Sequence, residues 1–148
     1  MLQAGMQLLL KTKRLTESAT LPTRNYPSDA GLDLYADETV LITEQIKIIK
    51  TGIAIELPYG TVGLILDRSS MGSRGIKVFG GVIDSNYRGE LLVGLARVAG
   101  SVHNMQVVQK GDKIAQLVIL PILLPEIYEV QELTETDRGE KRLGSSGV

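Results

Sequence analysis

The chain contains no cysteine, which removes disulfide bridges and thiolate metal sites from consideration. It has a single histidine, His103, too few for a multi-histidine zinc centre within one chain. Any metal it uses must therefore be a hard ion held through oxygen, such as magnesium. A basic excess is also missing, since 16 Lys and Arg stand against 17 Asp and Glu for a net charge of −1. Proteins that live on duplex DNA usually carry a broad basic face, so nucleic acid is not an expected partner. The apolar run Leu8, Leu9, Leu10 is too short to cross a bilayer, and no signal-peptide pattern surrounds it. No membrane association is expected, and the cytoplasm is the default location, although a lack of cysteine suits any compartment.

Helical periodicity is lacking too. No stretch carries a sustained apolar stripe at a spacing of three and four, and the 16 glycines disfavour long helices. One short helical turn is expected, around residues 69–74. What remains is a chain of 148 residues, 43% hydrophobic, long enough for one globular domain with a real core. Residues 45–57, QIKIIKTGIAIEL, alternate with a period of two and are rich in β-branched side chains, which suits a half-buried strand. Pro58-Tyr59-Gly60 then reads as a turn and 61–66 as the returning strand. Further strands are expected at 6–12, 39–42, 76–79, 90–97, 106–108, 114–119 and 127–130. Many short strands with glycine and proline punctuation indicate an all-β sandwich, barrel or jelly roll. From Thr134 onward apolar character gives way to Gly, Ser and charge, so the expected organisation is a body at 1–133 and a flexible arm at 134–148.

Five polar, glycine-containing segments interrupt the strands. The first, Asp29-Ala30-Gly31-Leu32-Asp33-Leu34-Tyr35-Ala36, reads by itself as a solvated turn entering a strand. The second, Asp67-Arg68-Ser69-Ser70-Met71-Gly72-Ser73-Arg74-Gly75, is either a Ser-rich turn or a cradle for an oxyanion. The third, Gly80-Gly81-Val82-Ile83-Asp84-Ser85-Asn86-Tyr87-Arg88-Gly89, is either a plain hairpin or a place where a ligand approaches the backbone closely. In the fourth, Gly111-Asp112-Lys113-Ile114-Ala115-Gln116-Leu117, Gln116 could be simply an exposed strand residue. The fifth, Arg138-Gly139-Glu140-Lys141-Arg142-Leu143-Gly144-Ser145-Ser146-Gly147, reads as a disordered end or as flexible backbone suited to wrapping a triphosphate.

In this order and at these intervals the five segments resemble the motifs of the trimeric dUTPase family, with GVIDSNYRG the most specific of them. The resemblance runs from Asp29 to Gly147. It implies a jelly-roll homotrimer that hydrolyses dUTP to dUMP and pyrophosphate by water attack on the α-phosphate, with sites built from neighbouring subunits. Such an activity keeps uracil out of DNA and supplies dUMP for dTMP synthesis.

Carried onto matching positions, the resemblance implies that the backbone of Gly81, Val82 and Ile83 reads uracil, rejecting cytosine by leaving polar groups unpaired. Tyr87 packs on the deoxyribose and excludes a 2′-hydroxyl, and Leu92 borders the nucleoside. Asp84 deprotonates the attacking water; a free Asp, with a pKa of about 3.9, is ionised near neutrality. Arg68 and Ser69 contact the phosphates, Ser69 near the α–β bridging oxygen, with Ser70 adding a hydroxyl or amide and Gln116 approaching the phosphates or a water. Magnesium is implied as cofactor, bound mainly through triphosphate oxygens and waters, with Asp33 in its outer shell. Arg138 contacts the phosphates while Leu143, Gly144 and Ser145 close over the nucleotide.

Two departures stand out. The family arm usually reads RGxGGFGSTG, whereas here Lys141-Arg142 replaces the glycine pair and Leu143 the Phe, so stacking on uracil is lost. Asp67 replaces the usual Pro or Gly before Arg68. Three alternatives compete with this reading. A dCTP deaminase would need a carboxylate proton shuttle where this chain has Gly94. A regulatory protein partner for a weakly active enzyme is suggested only by the altered arm. A binding module without chemistry would leave five ordered motifs as coincidence. His103 is expected to sit in a loop without a catalytic role, and Glu126, Glu129, Glu132 and Glu135 form a solvated acidic stretch.

Overall fold

The structure, a computed structural model, describes residues 8–101 and 106–142. Ten strands and one four-residue helical turn account for its regular elements: β1 (Lys11–Arg14), β2 (Leu32–Tyr35), β3 (Val40–Ile42), β4 (Lys47–Glu56), β5 (Thr61–Leu66), α1 (Ser69–Gly72), β6 (Ile76–Phe79), β7 (Val82–Ile83), β8 (Glu90–Arg97), β9 (Gln106–Val108) and β10 (Lys113–Pro121). One antiparallel sheet runs β1-β4-β8-β6, a second β2-β10-β5-β7, and β3 pairs with β9. From β4 to β8 successive strands fall alternately in the first and second sheets, so the chain crosses over at every turn. That is the winding of a jelly roll. Both sheets feed one core: Leu34, Ile65, Ile114 and Leu117 from one side, Ile49, Ile53, Leu91, Val93 and Leu95 from the other.

Strands β5, β6, β8 and β9 lie where hydrophobic alternation and turn residues place them. In β4 the phase differs from a simple reading. Ile46 and Ile48 are exposed, and Ile49 with Thr51 turns inward. At Gly52 the backbone takes φ +67°, and the pairing with β8 shifts register between Lys50 and Ala54. Such a bulge changes which face each residue occupies, so residues 51–55 are all buried. Alternation says that a strand exists without saying which of its faces is dry.

Two expected strands differ. The segment 6–12 gives way to β1 at 11–14, set by pairing with Ile53, Ala54, Ile55 and Glu56 and by the Lys11–Glu56 ion pair at 2.9 Å. Residues 1–7 lie outside the described set. At 127–130 there is no strand; Ile127 is fully exposed and the chain beyond Pro121 carries neither helix nor strand among the described residues. A strand requires a partner for its backbone groups, and this segment has none among the described residues.

Below β2, Asp37 ties three loops together. Its carboxylate accepts bonds from Thr16 Oγ1 at 2.6 Å and Ser18 Oγ at 2.8 Å, with Lys110 Nζ at 3.4 Å. A Cβ on Gly52 would lie 2.7 Å from Asp37 Oδ2 and 2.8 Å from Ala19 Cβ, so the bulge and this node pack as one. The Thr16 hydroxyl, against burial and with help from Ser18 and the Lys110 charge, holds the Asp37 carboxyl below its ordinary range. A depressed folded pKa stabilises the fold above the unfolded value of about 3.9 and ceases to do so as pH falls through the folded value. Asp37→Asn is therefore expected to cost about 2 kcal/mol near neutrality in denaturant unfolding. Its deficit against the parent protein should shrink as pH falls below the ordinary carboxylate range and through the lowered Asp37 pKa; a deficit independent of pH would contradict the ionised node.

Candidate active site

Asp33 alternates outward on β2 between buried Leu32 and Leu34, which puts its carboxylate on the open face of the second sheet. The register lines up Asp33 on β2, Gln116 on β10 and Leu66 at the end of β5 in one row across the sheet. The chain leaving Leu66 therefore carries Asp67 and Arg68 past the other two. Arg68 Nε donates to Asp33 Oδ1 at 2.9 Å, and Lys113 Nζ lies 2.8 Å from Asp33 Oδ2. Arg68 Nη1 reaches Ser70 Oγ at 3.3 Å and the Lys113 carbonyl at 3.4 Å. With Nε held by a carboxylate, the planar guanidinium is fixed and its Nη groups are aimed over the start of α1. Asp33 raises the Lys113 ammonium above the ordinary lysine pKa, first through the hydrogen bond, with burial opposing and its charge adding.

Gln116 Nε2 donates to the Asp67 carbonyl at 2.8 Å. A Cβ on Gly31 would collide with the Gln116 side chain, so the glycine of the first segment makes room for the glutamine of the fourth. Three segments far apart in sequence thus form one network: Gly31 and Asp33, Arg68 and Ser70, Lys113 and Gln116. Ser69 is exposed beside it at the start of α1.

The third segment forms a separate feature next door. Beyond β6 the chain turns through Gly80 at φ +82° and Gly81 at φ +119°. Gly81 accepts from the Ile65 N–H at 2.8 Å, and a Cβ there would sit 2.6 Å from the Ile65 carbonyl oxygen. Only glycine meets both conditions. Val82 and Ile83 then pair with Leu64 and Gly63 as the edge of the sheet. An edge strand turns half of its peptide groups away from its neighbour, so this hairpin presents backbone donors and acceptors sideways. Asp84 follows it, exposed, its carboxylate without a hydrogen-bond partner among the described residues. Tyr87 N–H donates to the Asp84 carbonyl at 3.1 Å and Tyr87 Oη to the Glu90 carbonyl at 2.8 Å, folding the half-exposed ring over Gly89.

Other expected residues stand apart. Leu92 lies on β8 in the first sheet, paired with Lys50 and facing outward. Arg138 lies in the exposed segment after β10, its side chain unbonded among the described residues. Leu143, Gly144 and Ser145 lie outside the described residues, as does His103. Sequence reasoning passed over Lys113 and Gly31 as site residues. Both stand inside segments it singled out, but only the register reveals that they meet Asp33 and Gln116. Among the described residues no three Asp, Glu or His side chains gather as a metal cage, and no helix is long and apolar enough to cross a membrane.

Comparison with known proteins is extensive. The dUTPase family model matches residues 17–147. The deoxyuridine 5′-triphosphate nucleotidohydrolase of Paramecium bursaria Chlorella virus 1 is 41% identical over 141 residues, covering 94% of this chain and 98% of its own. That of Corynebacterium glutamicum is 42% identical over 142 residues, with 93% and 94% covered. Among solved structures, the Staphylococcus bacteriophage 80alpha dUTPase with dUpNHpp superposes with a TM-score of 0.87 at 32% identity, covering 96% of this chain and all of its own. A dUTPase from phage phi11 of S. aureus, described with a structural Mg(II) ion, matches at 0.77 and 31% identity over 84% of this chain and 98% of its own.

The Asp33 pairing is directly testable. Asp33→Asn is expected to lower the Lys113 pKa toward the ordinary lysine range in an NMR titration of the ammonium; a value that stays raised would show that Asp33 is not its cause.

Proposed function

This chain belongs to the dUTPase family, and from that premise we propose that its two neighbouring features, the sideways hairpin and the Asp33-anchored cation cluster, are the base-reading and phosphate-holding halves of one kind of site. It is a dUTP diphosphatase, an enzyme that hydrolyses dUTP to dUMP and pyrophosphate. The observation that carries the residue assignment is the edge position of Val82 and Ile83 beside an unpartnered Asp84.

In this reading the peptide groups of Gly81, Val82 and Ile83 hydrogen-bond the pairing edge of uracil. Backbone groups suit the task because they do not change protonation state, and an unmatched base edge leaves them buried and unpaired. Tyr87, held by its bond to the Glu90 carbonyl, packs on the deoxyribose and fills the space of a 2′-hydroxyl. Ser70 borders the nucleotide, and Leu92, which stands on the outer face of the other sheet in this chain, would do so at a site shared between subunits. Arg68 and Gln116 hold the phosphates. Asp84 accepts a proton from water as the water oxygen bonds to the α-phosphorus; the bond from that phosphorus to the α–β bridging oxygen breaks, and pyrophosphate leaves. Ser69 stands near that bridging oxygen, where negative charge develops. Positioning and charge neutralisation do most of the work in such transfers.

The residues fit a magnesium ion carried in by the substrate rather than a resident one. No acidic cage gathers among the described residues, and magnesium commonly keeps several waters and binds through substrate phosphates. Both Asp33 oxygens already accept bonds from cations, so Asp33 would reach the ion through water. Bound there, the ion would neutralise triphosphate charge.

Assembly follows from what is left uncovered. Leu123, Ile127, Tyr128 and Leu133 are each more than four-fifths exposed, an apolar run that an isolated soluble chain rarely tolerates. A homotrimer would cover it and bring neighbouring chains to each site, and the 134–148 arm, with Arg138, Leu143, Gly144 and Ser145, would close over the nucleotide. A cytoplasmic location suits this substrate. The deaminase alternative fares worse, because a Cβ on Gly94 would lie 2.9 Å from the Phe79 carbonyl oxygen, leaving no room for an acidic side chain on this backbone.

Pyrophosphate release from dUTP, compared with dCTP, dTTP and UTP with and without magnesium, tests the activity; equal turnover of dCTP would refute uracil reading. Asp84→Asn is expected to reduce kcat by about a hundredfold or more while nucleotide binding stays measurable. Near-parental turnover in that variant would remove Asp84 as the base. Tyr87→Ala should admit UTP, and continued exclusion of UTP would move ribose discrimination elsewhere.

A further inference from the structure

The side chain of Asp67 has no part in the chemistry above, yet three bonds leave this one residue. Oδ1 accepts the Val78 N–H at 2.6 Å, Oδ2 pairs with the Lys77 ammonium, and the backbone carbonyl accepts Gln116 Nε2 at 2.8 Å. Strand β6 is bonded to β8 on one side only. The Val78 N–H faces the open side, where a backbone donor needs some other acceptor. The Asp67 side chain is only 25% exposed, whereas Lys77 is 57% exposed, so the amide bond is the sheltered one and the ion pair the screened one. Two residues upstream, the Ile65 N–H holds the Gly81 carbonyl. The end of β5 thus grips the chain at 77–78 and again at 81, and the 68–76 segment between is closed at its base. A Pro or Gly at position 67 could make neither side-chain bond.

We propose that Asp67 is a positioning residue that holds the phosphate-contacting turn at 68–70 in fixed register with β6 and the uracil-reading hairpin. The proposal rests on the dUTP diphosphatase reading. Its physical basis is that Arg68 follows Asp67 directly, so a shift of the turn relative to β6 moves the guanidinium and the Ser69 hydroxyl together. Displacements on the order of 1 Å are enough to cost about a hundredfold in rate.

The test uses the full-length protein with Asp67→Ala, Asp67→Asn and Lys77→Met, read by steady-state kinetics on dUTP, thermal melting and amide hydrogen exchange. Asp67→Ala is expected to lower kcat by about ten- to a hundredfold with KM changed by no more than about twofold, and to lose protection at the Val78 amide. Asp67→Asn keeps an acceptor oxygen and should recover most of kcat and the protection. Lys77→Met should stay within about twofold, as expected for an exposed pair. Parental kcat in Asp67→Ala, or equal losses in the Ala and Asn variants that follow their melting temperatures, would overturn the proposal. If the Ala variant fails to fold, Asp67→Asn decides: a folded Asn variant with Val78 protected and kcat near parental supports it, and one with kcat lost overturns it. A parent protein that releases no pyrophosphate from dUTP would bring down both readings, whereas an active parent with an indifferent Asp67→Ala brings down this one alone.

Discussion

The proposed phosphate-holding cluster depends on one carboxylate between two cations. Arg68 and Lys113 carry like charges and are drawn to one place only because Asp33 stands between them, at 2.9 and 2.8 Å. Opposed charges at that separation attract by a few kcal/mol at the dielectric of a partly covered site, before desolvation is subtracted. One negative against two positives leaves the cluster with an excess of one positive unit, which suits a polyanionic ligand. Because Asp33 occupies Nε, the guanidinium plane is set, with Nη1 turned to Ser70 and the Lys113 carbonyl. The carboxylate thus orients the arginine and tempers its charge.

The proposed base side would work by a different physics. There the surface offered is backbone, and its shape depends on a residue lacking a side chain. Gly81 is forced by a positive φ and by the nearness of the Ile65 carbonyl, and the edge position of β7 leaves its outward peptide groups free of the sheet. In the proposed reading, fixed backbone dipoles would read a neutral base, while charged side chains oriented by Asp33 would grip a triphosphate. The two halves meet at the end of β5, where Ile65 bonds the hairpin and Asp67 and Arg68 begin the turn. Geometry at that strand end therefore bears on both.

The arm is the least conventional part. Lys141 and Arg142 replace small flexible residues, and Leu143 replaces an aromatic ring. The apolar residues between Pro121 and the arm are largely exposed, and the backbone at 127–130 has no strand partner among the described residues; both features fit the proposed homotrimer.

Much of this was legible in the letters. Alternation and turn chemistry placed β5, β6, β8 and β9, since a strand's period and a turn's glycine are local properties. The ordered motifs named the family and, with it, Asp84, Tyr87, Arg68 and Gln116 as candidates. Local chemistry did not reveal which face of β4 was dry, because the bulge at Gly52 resets the phase. Nor did it reveal that Gly31 clears space for Gln116, that Lys113 shares Asp33 with Arg68, or that Asp67 caps the Val78 amide. The sequence alone determined most element types, the family and the list of chemical groups, since those follow from residue type and spacing; it missed that 127–130 has no strand partner among the described residues. Only the tertiary structure decided which of those groups share bonds, because strand register brings together residues that the chain keeps dozens of positions apart.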